Sequence, residues 1–180
     1  WVRCTNCGSY FSLYSRNQRV LNNIYSTSYR GEDVEWRNNS NEDVFHKVVG
    51  LPAAESETKL RVKWIKDYLA CAREAGYLAN SLAPYNILDI GGATGIFAYE
   101  FQDEEWKSYV IDADPSGGFI ENELGITFLP QYYKPNSFST SFDLISLVFV
   151  LEHLADPVEI LEQLHLDLAH QALVYIEVPD

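Results

Sequence analysis

Residues 87–95 have the sequence Ile-Leu-Asp-Ile-Gly-Gly-Ala-Thr-Gly, a short apolar run that ends in a glycine-rich loop. This pattern is the main indication of the fold. Apolar residues then recur at helical spacing over 96–101. Glycines in such a loop let the backbone pass close beneath a ligand, and the helix that follows offers N–H groups at its start. The stretch therefore predicts a strand, a ligand-binding turn and a helix, in that order.

Elements of the same kinds flank this stretch. Apolar residues at helical spacing predict an amphipathic helix over 57–79, and Asp156-Pro157 opens another helix that runs through Leu168. Further short apolar runs predict strands at 109–111, 125–129, 142–148 and 172–178. Strands that alternate with helices and are apolar on both faces predict an α/β fold, with a doubly wound, mostly parallel sheet covered by helices on both sides.

The composition is that of an ordinary globular protein, since 47% of the 180 residues are hydrophobic and 22% are charged. A formal net charge of −13, with scattered Lys and Arg, disfavours nucleic acids and anionic membranes as partners. No apolar run is long enough to cross a bilayer. Only three cysteines are present, too few for a disulfide framework, so a reducing, cytoplasmic location is expected. Cys71 lies in an apolar stretch and is predicted to be buried.

A carboxylate after the second strand supplies the other half of a nucleoside site. Asp114 lies about twenty residues beyond the glycine loop, where a carboxylate accepts hydrogen bonds from both ribose hydroxyls. The dinucleotide pattern Gly-x-Gly-x-x-Gly fails, because Ala93 and Ile96 stand where its later glycines belong when counted from Gly91. A nicotinamide-dependent oxidoreductase is therefore the weaker hypothesis. Asp112 is expected to be a solvated turn carboxylate.

Four ordered blocks of the sequence resemble class I S-adenosylmethionine-dependent methyltransferases. The glycine loop at 87–95 is similar to their first motif, and Val-Ile-Asp-Ala-Asp-Pro-Ser at 110–116 to their second-strand signature. The blocks at 142–145 (Phe-Asp-Leu-Ile) and 150–157 (Val-Leu-Glu-His-Leu-Ala-Asp-Pro) resemble the fourth-strand region of a subgroup that often acts on sugars, quinones or secondary metabolites.

The resemblance implies a Rossmann-like fold, S-adenosylmethionine as cofactor, and methyl transfer to a small-molecule acceptor, with a sugar or secondary metabolite favoured. Sheets of that family have seven strands, whereas five are predicted here. The chain also begins at Trp1 and contains no methionine, so it is expected to be incomplete and truncated at its C terminus. The open edge of an incomplete sheet is a route to a homodimer.

The resemblance assigns roles to the residues of the first loop. It implies that Gly91, Gly92 and Gly95 pass beneath the methionine and ribose portions of the cofactor. It also implies that Asp89 supports the loop and the cofactor's amino group. Ala93 stands where the family usually has its second glycine, and its methyl group is expected to narrow the site without closing it.

Three further residues complete the predicted cofactor-binding set. Asp114 is expected to hold the ribose hydroxyls. Gln131 is the candidate for the adenine contact, because the acidic residue that the family often has after its third strand is missing. Leu147, which lies in the predicted strand at 142–148, is the third of these cofactor-binding candidates.

His153 is the candidate catalytic residue, since it follows the fourth-strand region by a few positions and histidine is a common general base near neutral pH. A hydroxyl acceptor must lose a proton while the enzyme aligns its oxygen with the methyl group. The alternative is that Glu152 and His153 only brace the loop that follows.

Two cysteines near the N terminus form a candidate half of a zinc site. Cys4 and Cys7, followed by Gly8, have the spacing of a turn that holds one metal ion with two thiolates. They resemble the second half of a zinc knuckle found in some sugar and natural-product methyltransferases. Zinc needs four ligands, so binding is expected only where the full-length protein supplies upstream cysteines.

The character of the sequence changes near residue 50, from polar and Asn- and Ser-rich to periodic apolar patterning. Residues 1–50 are therefore predicted to form a knuckle-like cap segment, and residues 51–180 the cofactor-binding domain. A non-catalytic binding or interaction module remains the alternative to an enzyme. The acceptor, and the atom that is methylated, are not readable from these residues.

Overall fold

The computed structural model describes residues 2–11, 17–23, 40–79 and 82–179. Its strands are β1 (Val2–Arg3), β2 (Tyr10–Phe11), β3 (Tyr85–Ile90), β4 (Trp106–Asp112), β5 (Thr127–Pro130), β6 (Phe142–Val148) and β7 (Leu168–Glu177). Its α-helices are α1 (Gln18–Asn23), α2 (Asn41–Val49), α3 (Glu57–Glu74), α4 (Ile96–Phe101), α5 (Gly118–Asn122) and α6 (Pro157–Gln163). Strands β1 and β2 form a small antiparallel hairpin that the sequence did not predict.

The main sheet has five strands in the order β5-β4-β3-β6-β7, and every neighbouring pair is parallel. The chain builds outward from β3 in one direction through β4 and β5, then returns to the other side of β3 with β6 and β7. The order reverses between β3 and β6, which is where such sheets open a crevice for ligands. The predicted doubly wound α/β architecture is confirmed.

Both faces of the sheet are apolar because its central strands are buried on both sides. On one face Ile87 packs with Leu69 of α3 and Phe101 of α4. On the other face Leu88 packs with Ile145 and Leu164. Neighbouring residues of β3 thus point to opposite layers, as the twofold side-chain period of a strand requires.

Helix α3 is shorter than predicted, because Gly76 ends it at Glu74. Gly76 has a φ of +76°, and the N–H of Tyr77 donates to the carbonyl of Ala72 at 2.9 Å. This is the left-handed glycine cap that commonly ends helices. Four residues of α3 are buried, namely Val62, Ile65, Leu69 and Ala72. The prediction of a buried Cys71 is wrong, since that residue lies beside this stripe and is exposed.

The second predicted helix also ends early. It was expected to run through Leu168, but α6 stops at Gln163 and a 3₁₀ turn follows over Leu164–Leu166. Asp167 then turns the chain, and its carbonyl accepts the N–H of Phe142 at 2.8 Å. Leu168 pairs with Phe142 and begins β7, because the edge of the sheet offers hydrogen-bond partners that a longer helix would not reach. Within the described residues, no helix has the length and apolar character needed to span a bilayer.

Candidate cofactor site

A cavity of about 830 Å³ opens at the carboxyl edge of the sheet, at the point where the strand order reverses. The loops that follow β3, β4, β5 and β6 all contribute to its wall. Five of the residues predicted from sequence line it: Gly91, Ala93, Asp114, Gln131 and His153. Residues from four separate stretches of the chain are therefore brought together as the sequence predicted.

Gly91 forms the floor of the first loop. Its φ is +72°, and its N–H donates to the carbonyl of Ile111 at 2.8 Å. A Cβ at this position would lie 2.6 Å from Cγ2 of Val150, a distance that real Cβ atoms do not tolerate. Glycine is therefore required both by the left-handed backbone and by the close approach of the segment after β6.

Gly92 and Gly95 serve packing rather than the cavity wall. A Cβ on Gly92 would lie 2.6 Å from Oδ2 of Asp89, and one on Gly95 would lie 2.9 Å from Cγ1 of Ile120. Neither glycine lines the cavity. Their lack of a side chain lets the loop fold tightly against the sheet and α5, which positions the residues that do face the cavity.

Ala93 takes the strained conformation that the family's usual glycine would take without cost. Its φ is +45°, a left-handed value rare for residues with a Cβ. Its N–H donates to Oδ2 of Asp112 at 2.8 Å, which holds the loop in this shape. Ala93 is one of the residues that line the cavity.

Asp112 differs from the expectation of a solvated turn carboxylate. Its Oδ2 accepts the N–H of Ala93, and its Oδ1 accepts the N–H of Asp114 at 2.8 Å. The side chain therefore ties the loop after β3 to the loop after β4. Sequence alone could not reveal this, because the partners meet only when β3 and β4 pair in register.

Asp114 stands at the cavity wall as predicted, at the start of a short turn over Pro115–Gly117. Its Oδ1 accepts the N–H of Ser116 at 2.9 Å, which fixes the direction of the carboxylate. A fixed carboxylate beside a glycine-rich loop can accept hydrogen bonds from a vicinal diol such as the ribose of a nucleoside.

Asp89 lies behind the loop and does not line the cavity. The residue is 2% exposed, and its Oδ1 accepts a hydrogen bond from the Ser146 hydroxyl at 2.7 Å. Burial, with a further contribution from the nearby charge of Asp112, raises the pKa of Asp89 to about 7, although the hydrogen bond from Ser146 acts in the opposite direction. The predicted support of the loop fits this position, whereas direct contact with a ligand does not.

Gln131 and Leu147 have different surroundings. Gln131 lines the cavity, and its amide donates to the Ser137 hydroxyl at 3.0 Å. Leu147 is fully buried, and it packs in the core with Leu88 and Ile145. Its position on β6 points the side chain into the helix layer, so the structure gives Leu147 no direct access to the cavity.

His153 lies at the cavity wall, in a 3₁₀ turn over Leu151–His153. Its Nε2 is 3.8 Å from Oε1 of Glu152, and its side chain is 42% exposed. The backbone N–H of His153 donates to the carbonyl of Val150 at 2.9 Å, which anchors the turn. The geometry is compatible both with a proton acceptor facing the cavity and with a brace for the turn.

Sequence reasoning missed several residues that face the cavity, chiefly Tyr132, Tyr133, Lys134, Phe149 and Gln163. The hydroxyl of Tyr133 donates to Asp167, a buried carboxylate that also accepts the N–H of Asn136 at 2.9 Å. Burial, followed by the interaction with Asp167, raises the pKa of Tyr133. The sequence signal that could have found this wall is the Tyr-Tyr-Lys-Pro run directly after β5.

Cys4 and Cys7 lie in the turn of the β1–β2 hairpin, far in sequence from the residues that line this cavity. The Cys4 N–H donates to the carbonyl of Ser9 at 2.7 Å, and the Gly8 N–H donates to the carbonyl of Cys4 at 2.9 Å. Hydrogen bonds from Ser9 lower the pKa of Cys7 to about 7. The turn favours thiolate chemistry, but two thiolates alone do not complete a tetrahedral zinc site.

A parallel, doubly wound sheet with a glycine-rich first turn and a carboxylate after the second strand defines a nucleoside-binding Rossmann-like domain. The comparisons narrow that class. A family model described as a methyltransferase domain matches residues 57–180. The chain therefore belongs to the methyltransferase domain family, which confirms the class I S-adenosylmethionine-dependent methyltransferase fold that the motifs predicted. No curated protein sequence matches the chain.

Solved methyltransferases share this fold. The plantazolicin methyltransferase BpumL, in complex with a triazolic desmethylPZN analogue and SAH, is 19% identical with a TM-score of 0.57; the match covers 88% of this chain and 57% of BpumL. A TehB-like SAM-dependent methyltransferase from Corynebacterium glutamicum is also 19% identical, with a TM-score of 0.51; the match covers 76% of this chain and 71% of that one. The chain thus spans little more than half the length of BpumL.

Proposed function

We propose that the chain binds S-adenosylmethionine in the cavity at the carboxyl edge of its sheet and serves methyl transfer to a small-molecule acceptor. The observation that carries the proposal is the junction of three features in one cavity: the left-handed loop at Gly91 and Ala93, the fixed carboxylate of Asp114, and the strand-order reversal between β3 and β6. Membership of the methyltransferase domain family supports it.

The cavity residues fit the cofactor's chemistry. Gly91 lines the cavity without a side chain, so the cofactor would meet its backbone directly. Asp114 would accept the ribose hydroxyls, and Gln131 would offer an amide beside the adenine. The bound cofactor would supply a methyl group on a positively charged sulfur, which keeps the bonding electron pair when the methyl carbon is transferred.

His153 is proposed to take the proton that a hydroxyl acceptor loses. It is supported by its place on the cavity wall beside Phe149 and Val150. The protein must also align the acceptor with the methyl group, and this alignment by itself lowers the activation barrier of methyl transfer substantially. A sugar or another hydroxylated metabolite as acceptor is part of the proposal and rests on the sequence motifs alone.

Cofactor binding is tested first, by calorimetric titration of the purified chain with S-adenosylhomocysteine and, as control, with a nicotinamide dinucleotide. We expect saturable binding of the homocysteine compound only. Asp114→Ala should weaken its affinity at least tenfold, because two charge-assisted hydrogen bonds are lost. Asp67→Ala is the matched control, since Asp67 is exposed on α3 and pairs with Lys63. Equal affinity of the two variants would contradict the assignment of Asp114.

The role of His153 is tested in the full-length protein, by release of S-adenosylhomocysteine from S-adenosylmethionine with a panel of sugars and hydroxylated metabolites. With an accepted substrate, His153→Gln should lower kcat by about 10²–10⁴-fold, the usual contribution of a general base, with little change in cofactor affinity. His165→Gln, at an exposed histidine that does not line the cavity, is the control. An unchanged kcat would leave His153 as a brace of its turn.

Three further parts of the proposal rest on the sequence. First, residues 1–50 are proposed to form a cap and residues 51–180 a cofactor domain. A cytoplasmic location, consistent with the free cysteines Cys4, Cys7 and Cys71, is another. Zinc at Cys4 and Cys7 is the third, and it requires two more ligands than this hairpin provides. Absence of all turnover in the full-length protein, despite cofactor binding, would favour the non-catalytic module.

A further inference from the structure

A group of metal-ligating side chains lies away from the cofactor cavity, where helix α2 meets the end of α5. Among the described residues, Glu42, His46 and Glu123 form the group of three whose ligand atoms all lie within 4.8 Å of one another. Glu42 and His46 are four residues apart on α2, and Nε2 of His46 is 3.9 Å from Oε1 of Glu42. Glu123 follows α5 directly and closes the group from the other element.

The two elements are held together independently of these three side chains. Phe45 of α2 is buried, with its ring edge-on to Phe119 of α5 at 5.7 Å and to Tyr99 of the neighbouring helix α4 at 5.0 Å. The Asn41 amide donates to the Ser116 hydroxyl at 2.6 Å, at the other end of the contact. The backbones that carry the ligands are therefore positioned before any ion binds, which lowers the entropy cost of binding.

The imidazole of His46 also has an aromatic neighbour. The ring of His46 packs edge-on against Phe45, with centroids 5.3 Å apart and an interplanar angle of 79°. Tetrahedral zinc with nitrogen and oxygen ligands at about 2.0–2.2 Å needs ligand atoms roughly 3.4 Å apart. Small rotamer adjustments of exposed carboxylates would bring the three atoms to that separation.

We propose that Glu42, His46 and Glu123 form a binding site for a divalent transition-metal ion of the zinc type, which would fasten α2 to the end of α5. One imidazole and two carboxylates are a ligand set that zinc accepts, with a fourth position open to water. Two carboxylates in a chain of net charge −13 also favour a cation electrostatically. Magnesium and calcium prefer oxygen ligands alone, so dependence on His46 would distinguish the metal class.

The test uses the purified chain carrying C4S, C7S and C71S, so that no thiolate competes for the metal. Isothermal titration with Zn²⁺ should show one site per chain, and H46Q or E123Q should weaken binding at least tenfold. H165Q, at another exposed histidine, should leave binding unchanged. A saturating excess of Zn²⁺ should raise Tm by about 5–10 °C in the His46-containing protein alone.

The outcomes are decisive because all three side chains are exposed and their glutamine variants should fold. Zn²⁺ binding of equal strength in H46Q and in the parent would overturn the proposal, as would the absence of a one-to-one site. Equal loss in H165Q would point to non-specific histidine binding and overturn it too. Since no cofactor is needed, this result is independent of the proposed methyl transfer.

Discussion

At the scale of single residues, hydrogen bonds and close packing around the first loop determine the shape of the cofactor cavity. Asp112 ties two loops together through the N–H groups of Ala93 and Asp114. Asp89 is buried against Ser146 beneath the same loop. The small size of Gly92 lets the loop approach Asp89.

Gly92→Ala should destabilise the chain by about 1–3 kcal/mol, the usual cost of overpacking. The new methyl group would lie 2.6 Å from Oδ2 of Asp89 and 2.8 Å from Cγ1 of Val110. Gly118→Ala is the matched control, because Gly118 has a helical φ of −57° and nothing lies within 4 Å of an added Cβ. That variant should be neutral or more stable by up to about 1 kcal/mol. Urea unfolding measures both, and equal stabilities would contradict the packing argument.

The buried carboxyl of Asp89 predicts a pH dependence of stability. Its pKa is about 7 in the folded chain, against an ordinary value of 3.8, so the folded state binds the proton more tightly than the unfolded state. Its contribution to stability is complete below pH 3.8 and is lost as the pH rises towards 7. Between pH 5 and pH 8 the wild-type chain should therefore lose up to about 3 kcal/mol more unfolding free energy than Asp89→Asn. Parallel pH profiles of the two proteins would show that Asp89 is already ionised when buried.

At the scale of elements, one ion pair joins the longest helix to the edge of the sheet. The guanidinium of Arg61 on α3 donates from Nη2 to Oε1 of Glu177 at 2.6 Å, at the end of β7. The pair is partly shielded, with side-chain exposures of 14% and 26%. Arg61 lowers the pKa of Glu177, and the hydroxyl of Tyr175 donates to the same carboxylate at 2.6 Å. The Phe149 N–H donates to the carbonyl of Glu177 at 2.9 Å, so this contact also supports the cavity wall.

Arg61→Met should lower the free energy of unfolding by about 1–3 kcal/mol, because it leaves a shielded carboxylate without its main cationic partner. Lys63→Met on the same helix is the control. Lys63 pairs with Asp67, but their side chains are 71% and 62% exposed, so the loss should stay under about 0.5 kcal/mol. Denaturant unfolding of the wild-type chain and of both variants, measured under the same conditions, gives the two losses of unfolding free energy. Equal losses would mean that Arg61 and Glu177 contribute no more than a surface pair.

At the scale of the whole molecule, the five-stranded sheet places the cavity and has β5 and β7 as its edge strands. Within the described residues β7 pairs with β6 alone, so its other side presents backbone groups that another strand could bind. A homodimer through this edge stays a prediction. The negative net charge of −13 acts against close approach of two copies and of any polyanion.

The sequence alone was sufficient to predict the strand–loop–helix unit at 87–101, the bounds of β6 and the parallel α/β class. It also singled out Gly91, Ala93, Asp114 and His153, which the structure brings to one cavity. These follow from local signals: apolar periodicity, glycine, and carboxylates at strand ends, which parallel strands bring to one edge. The tertiary structure alone decided that Asp112 bridges two loops, that Leu147 is buried, that β7 begins at Leu168 and that Glu123 meets His46. Each of these depends on partners distant in sequence, whose meeting is set by strand register and helix packing and is not encoded in any local pattern.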